Sequence, residues 1–177
     1  PKDLFEEYLE RVDVPEVSPA YLENLHPALR HWHETRGTAR ITPESARRAR
    51  AAYYGLVTYL DALLGGLFET LAGTRFAENT VVAYVSDHGD MVGQHGMWWK
   101  DSFYEGSVGV PMIWSWPGRF RGGARVSAVT SLLDVGPTCL DLGGAEPLPG
   151  ARGHSLRGLL EGEDPSWPDE TRAEICP

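Results

Sequence analysis

The six residues Thr80 to Val85, TVVAYV, constrain the fold more than any other stretch. All are β-branched, aromatic or apolar, and no polar alternation marks a solvent face. A strand of this kind is expected to lie buried on both faces, as in an α/β sheet. A long helix is predicted upstream. Thr42 is its N-cap, Pro43 its first residue, and Glu44 complements the N-terminal dipole. Ala46, Ala49, Tyr53, Leu56, Leu60, Leu63, Leu67 and Leu71 then recur at threes and fours. That stripe predicts an amphipathic helix closing at Gly73, weakened locally by Gly65-Gly66. Downstream, Val110 to Trp116 reads as a second strand and Val126 to Thr130 as a third. Leu132 to Leu142 reads as a helix with Leu133, Pro137, Leu140 and Leu142 buried, closed by Gly143-Gly144. Cys139 in that helix reads as a small buried hydrophobe. Thr171 to Cys176 starts a last strand.

Residues 1–41 are expected to be irregular and loop-rich, near the substrate side, with residues 42–177 forming the main body. Asp3 to Val12 suits a short helix with Leu4, Phe5, Tyr8 and Leu9 on one side. Pro15, Pro19 and Pro27 interrupt anything longer. Hydrophobic residues at 42% and charged residues at 23% exclude a disordered chain. The net charge of −9 argues against nonspecific binding to nucleic acid or to an anionic membrane. No run of about 18 apolar residues is found, so no membrane-spanning helix is expected. Cys139 and Cys176 cannot build a disulfide framework. No basic-then-apolar leader opens the chain; localisation is left open between cytoplasm and periplasm, with the cytoplasm slightly favoured. A chain running from Pro1 to Pro177 without an initiator Met reads as a segment of something longer.

The chemistry gathers directly after the apolar strand. Ser86-Asp87-His88-Gly89-Asp90 stands where ligands bind in open α/β sheets, beyond the carboxyl ends of the strands. Asp87 offers hard oxygen ligands and His88 an imidazole nitrogen, a pair suited to one divalent cation. Gly89 lets the backbone turn. The plainer alternative is a polar loop whose Asp caps a turn. Gly93-Gln94-His95-Gly96-Met97-Trp98-Trp99-Lys100 then brings a His and a Lys a short loop away. The ammonium of Lys100 suits the oxygens of a tetrahedral oxyanion, and His95 suits donation to a leaving oxygen. The plainer alternative for Lys100 is a solvated surface side chain.

The run VSDHGDMVGQHGMWWKDSFYEGSVGVPMI resembles the second half of the sulfatase family, within the alkaline-phosphatase-like superfamily. It looks most like the choline-sulfatase-type bacterial branch. AAYYGLVTYLDALLGGLFETL before it, and VTSLLDVGPTCLDLGG and Gly153-His154-Ser155-Leu156 after it, are similar to the segments such enzymes carry there. The likeness runs from about Arg47 to Leu160. It implies part of an α/β/α sandwich with a mostly parallel or mixed sheet, lacking the N-terminal half that holds the nucleophile. It also implies a mechanism in which formylglycine, made from Cys or Ser in a Cys/Ser-x-Pro-x-Arg motif, attacks sulfur beside a divalent cation. That cation is usually Ca2+, with Mn2+ as an alternative. By the same resemblance Asp87 and His88 match metal ligands. Lys100 matches the lysine on the sulfate and leaving oxygen, and His95 lies in the same loop with less weight.

The departures are specific. No Cys/Ser-x-Pro-x-Arg motif occurs in this chain, and the paired acidic ligands of the family's N-terminal part are absent. Gly109 stands where many relatives have Arg. The expected partners are therefore the missing N-terminal half and a small sulfate ester, with no nucleic acid and no membrane, and a homo-oligomer is compatible with the sequence. The intact protein is expected to be a sulfuric ester hydrolase and the segment alone inactive. A phosphonate monoester hydrolase or phosphodiesterase of the same superfamily is the alternative, and a non-catalytic fragment or pseudoenzyme is the third reading.

Overall fold

The computed structural model describes residues 1–163 and 166–172. The chain divides into two compact units. One is formed by residues 1–74 and 88–110, the other by residues 75–87 and 111–177.

The first unit is helical from its start. Helix α1 spans Lys2–Arg11, α2 Pro19–Glu23, α3 Pro27–Arg36 and α4 Pro43–Ala72. The stretch expected to be irregular is thus mostly helix. The prolines read as interruptions are initiators: Pro19 and Pro27 stand at the first positions of α2 and α3. A proline there loses no hydrogen bond, because the first amides of a helix have no internal partner.

Helix α4 has the predicted ends. The Thr42 hydroxyl accepts from the Ser45 amide at 3.1 Å, and Gly73 closes it. Its buried face differs from the predicted stripe. Ala46, Arg50, Ala51 and Gly55 are buried, whereas Leu56, Leu60, Leu63 and Leu67 are exposed, Leu56 at 62% and Leu67 at 60%. Helix α1 packs on α4, and Gly55 lies at that contact. The missing side chain of Gly55 lets the backbone of Leu4 and Phe5 approach, 3.4 Å from where a Cβ would stand. Tyr8 stacks on Tyr54 and shares a 2.7 Å hydrogen bond with Thr58. Among the described residues, Leu56, Leu60, Leu63 and Leu67 of the stripe remain exposed. By length and composition alone α4 is also long and apolar enough to cross a membrane, which corrects the expectation that no segment qualifies. The reason is that Gly, Ala and Tyr fill the places between its leucines, with Asp61 the one charge between Arg50 and Glu69.

The second unit holds strands β1 (Val82–Val85) and β2 (Met112–Ser115), paired antiparallel with Val82 opposite Ser115 and Val85 opposite Met112. The chain between them runs from residue 86 to residue 111. β1 is not buried on both faces: Val82, Tyr84 and Val85 are half-buried and Ala83 is exposed. Two strands alone form no layered sheet. Val126 to Thr130 is extended but not a strand. Side chains meet its backbone where a ladder was expected: Asp169 accepts from the Val129 amide at 2.7 Å, and Trp167 donates to the Val129 carbonyl at 2.8 Å.

Residues 132–142 form a 3-10 turn and helix α6 (Val135–Leu142), entered through a reciprocal Ser131–Asp134 capping box. Leu133 is exposed at 57%, while Asp134 and Thr138 are buried. Asp134 accepts from the His154 amide, and Thr138 donates to the Asp134 carbonyl and accepts from the Leu156 amide. A Cβ on Gly153 would collide with the Leu133 carbonyl, so only glycine permits this approach. Ser155 and Arg157 both donate to Asp141, and the Ser155 bond first, then Arg157, hold its carboxyl below the usual range. Helix α7 (Arg157–Glu161) follows. Cys139 is exposed, against the expectation of burial, because α6 turns Thr138 inward. Cys176 and the end of the expected last strand lie outside the described residues.

Candidate functional site

β1 delivers the predicted motif two residues beyond its carboxyl end. Asp87 closes the second unit and is exposed; His88 opens the segment of the first unit and is half-buried. His88 Nδ1 lies 2.7 Å from the Gly89 carbonyl oxygen. A carbonyl only accepts, so Nδ1 is the donor in this contact. Metal-ligating imidazoles commonly donate their other ring nitrogen to a backbone carbonyl in this way. Gly89 donates its amide to the Ser107 carbonyl at 2.8 Å, and a Cβ there would collide with the carbonyl oxygen of Gly106.

From Asp90 the chain makes a folded excursion to Lys100. Met91 donates to the Trp99 carbonyl and Gly93 to the Met97 carbonyl, each at 2.8 Å. Met91 and Met97 are completely buried and anchor it. The tip is a 3-10 turn at Gln94–Gly96. Three residues with side chains, Val92, His95 and Trp99, have φ of 46°, 55° and 63°. Left-handed backbone is costly for such residues and persists where surrounding contacts enforce it. Lys100 is exposed, and its carbonyl accepts from the Ser102 amide at 2.7 Å and from the Ser107 hydroxyl. The short helix α5 (Glu105–Val108) ends at Gly109, where a Cβ would stand 2.8 Å from the Glu105 carbonyl oxygen. Any side chain at this position requires that turn to shift.

Helix α3 packs on this excursion. Arg36 pairs with Asp101 at 2.6 Å and lies over the Trp99 ring, and Trp32 is tilted against Trp99 at 6.1 Å. His31, Trp32 and His33 all lie within α3. His95 stacks on Tyr104 at 4.2 Å, and the Tyr104 hydroxyl meets that of Tyr21 at 2.7 Å. Burial and then the Tyr104 bond push the Tyr21 phenol up to about 12.

His33 is held by the Thr38 hydroxyl at 2.8 Å, and burial lowers its pKa against a smaller opposing effect of the His95 backbone. The unfolded chain binds this proton more readily than the folded one. Stability from His33 is therefore complete above the unfolded value of about 6.5 and is lost as pH falls through the lower folded value. His33→Asn is expected to flatten the dependence of the thermal midpoint between pH 7 and pH 5. An unchanged slope would show that His33 carries none of it.

Of the four predicted site residues, Asp87 and His88 adjoin at the strand end, and His95 and Lys100 share the excursion. Among the described residues no group of three or more His, Cys, Asp or Glu side chains is placed to hold a metal ion. Asp87 and His88 alone do not complete a metal shell. Sequence reading missed Asp90 and Arg50, which hold the excursion from inside. Asp90 sits in the motif itself; Arg50 reads as one more charge on a surface helix.

The sequence profile of the family described as Sulfatase matches residues 5–145, starting well before the likeness read from Arg47. The choline-sulfatase of Rhizobium meliloti is 40% identical over 131 residues, covering 72% of this chain and 25% of its own length. Arylsulfatase K of Gallus gallus is 36% identical over 157 residues, covering 82% and 29%. Among solved structures, the phosphonate monoester hydrolase of Silicibacter pomeroyi superposes with a TM-score of 0.80 at 30% identity, over 89% of this chain and 33% of that one. The chain thus spans a quarter to a third of the length of these relatives.

Proposed function

The chain belongs to the sulfatase family, and on that premise we propose that it is part of the catalytic domain of a sulfuric ester hydrolase. The structural neighbours share the α/β fold of that family and its alkaline-phosphatase-like relatives. The observation that carries the reading is the bond from His88 Nδ1 to the Gly89 carbonyl just beyond β1, with Lys100 on a braced excursion twelve residues later. In this reading Asp87 and His88 Nε2 supply two ligands to a divalent cation, Ca2+ in preference to Mn2+. Ca2+ usually takes six to eight oxygen-type ligands, so the remaining ligands come from elsewhere in the longer protein. The cation, when bound, polarises the ester oxygens as a Lewis acid. The Lys100 ammonium stabilises charge on the sulfuryl and leaving oxygens, and His95 is placed to donate a proton. The nucleophile, expected to be formylglycine, belongs to the part of the protein outside these residues. The exposed leucine stripe of α4 is where that part would pack.

A second reading is favoured by one observation. The Silicibacter pomeroyi enzyme that superposes so extensively is a phosphonate monoester hydrolase, and the alternative activity is therefore hydrolysis of phosphonate or phosphate esters at the same site.

The longer protein is expected to hydrolyse 4-nitrophenyl sulfate with higher kcat/KM than the matched phosphate or phosphonate ester. Chelation should abolish turnover and Ca2+ restore it, while residues 1–177 alone stay inactive. Preference for the phosphonate ester would select the second reading. Turnover unaffected by chelation would remove the metal assignment.

A further inference from the structure

We infer that Asp90 is the positioning residue for Lys100, acting through the backbone of the excursion between them. The inference rests on the reading of Lys100 given above. One carboxylate oxygen of Asp90, Oδ1, accepts from two amides: that of Val92 at 2.8 Å and that of Trp99 at 3.2 Å. These amides are seven residues apart, so the single oxygen ties the start of the excursion to its end. The Trp99 carbonyl is taken by the Met91 amide. Both backbone groups of the residue preceding Lys100 are therefore fixed.

The other end of the tie is fixed as well. The Val92 carbonyl accepts from Arg50 Nη1 at 2.6 Å, and Arg50 is only 5% exposed. Arg50 is held in turn by Asp13 at 2.9 Å. Val92 thus has its amide bound by Asp90 and its carbonyl by Arg50. This explains how a β-branched residue remains at a φ of 46°. A left-handed valine is an outlier that open loops do not maintain, and it points to a backbone held for a purpose. Trp99, at a φ of 63°, is the second such residue on the same carboxylate. Beyond it the Lys100 carbonyl is secured by Ser102 and Ser107. The lysine side chain is exposed, but the backbone that carries it is secured on both sides. The Asp90 side chain binds amides at both ends of the excursion.

The role requires an oxygen acceptor and not a negative charge. In the full-length protein, Asp90→Asn retains the Oδ1 acceptor and should keep kcat within about twofold. Asp90→Ala removes it and should lower kcat by roughly 10- to 100-fold with KM nearly unchanged, the signature of a misplaced catalytic group. Amide exchange gives a readout independent of activity. In the wild type the Trp99 amide should be protected, and in Asp90→Ala it should exchange roughly three- to tenfold faster, while the Ser107 amide is unaffected. Asp90→Asn as damaging as Asp90→Ala would show that the charge is what matters and would overturn the proposal. If Asp90→Ala does not fold, the wild type and Asp90→Asn decide it: a Trp99 amide exchanging as fast as an open loop overturns the tie. If Lys100→Ala itself has no effect on kcat, the Lys100 reading has failed, and protection of Trp99 alone then supports or overturns the tie.

Discussion

Lys100→Ala in the full-length enzyme is expected to lower kcat by about 100-fold or more while KM changes little. The ground-state sulfate ester carries a single negative charge spread over its outer oxygens. Charge builds on the leaving oxygen as the S–O bond breaks, and an ammonium beside it gains most at that point. Only interactions stronger in the transition state than in the ground state accelerate the step. Lys100→Arg keeps the charge but replaces a compact donor with a planar fork, so it should rescue only part of the loss. Steady-state kinetics on 4-nitrophenyl sulfate separate the roles. A rise in KM with kcat intact would make Lys100 a ground-state binding residue.

Gly89→Ala is expected to destabilise the protein by about 3 kcal/mol, the upper part of the range for overpacking. The new methyl group would meet the Gly106 carbonyl oxygen, and the Gly109 carbonyl oxygen would be 3.2 Å away. Backbone cannot swing aside as a flexible side chain can. Relief requires losing the 2.8 Å bond from the Gly89 amide to the Ser107 carbonyl. In a domain of this size the thermal midpoint should fall by roughly 6–12 °C. Gly66→Ala is the control. It has open space around the added Cβ in the middle of α4 and should stabilise by roughly 0.5–1 kcal/mol. Equal effects of the two substitutions in thermal unfolding would contradict the packing described at Gly89.

The parts of this molecule legible in its sequence are those decided by neighbours along the chain. The Thr42-Pro43 start and Gly73 end of α4 follow from capping chemistry, and the position of the Asp-His-Gly motif follows from the apolar run before it. What the sequence hid depends on partners distant in the chain. Pro19 and Pro27 read as breaks because a proline looks the same whether it ends one helix or begins the next. Val126 to Thr130 has strand composition, but whether it pairs with a strand or with Asp169 and Trp167 depends on what lies beside it. The α4 leucines satisfy a helical period whether or not anything covers them, and α1 packs on the face that carries Tyr54, Gly55 and Thr58. Asp90 was visible within the motif. Its partners were not, since a carboxylate gives no sign of which amides will close on it.

The long connection from residue 86 to residue 111 separates two tasks that a tight hairpin would merge. In a two-residue hairpin the turn dictates the register of its strands, so a changed turn slides every cross-strand pair. Here Val85 faces Met112 across a connection too long to impose that alignment. The entropy of closing a loop grows only logarithmically, by about 0.6 kcal/mol for each doubling of its length. Residues added at the Gln94–Gly96 tip therefore cost the strands almost nothing. In the proposed reading, His95 and Lys100 ride on a segment whose tip can change in length while the strand pairing beneath it stays in place.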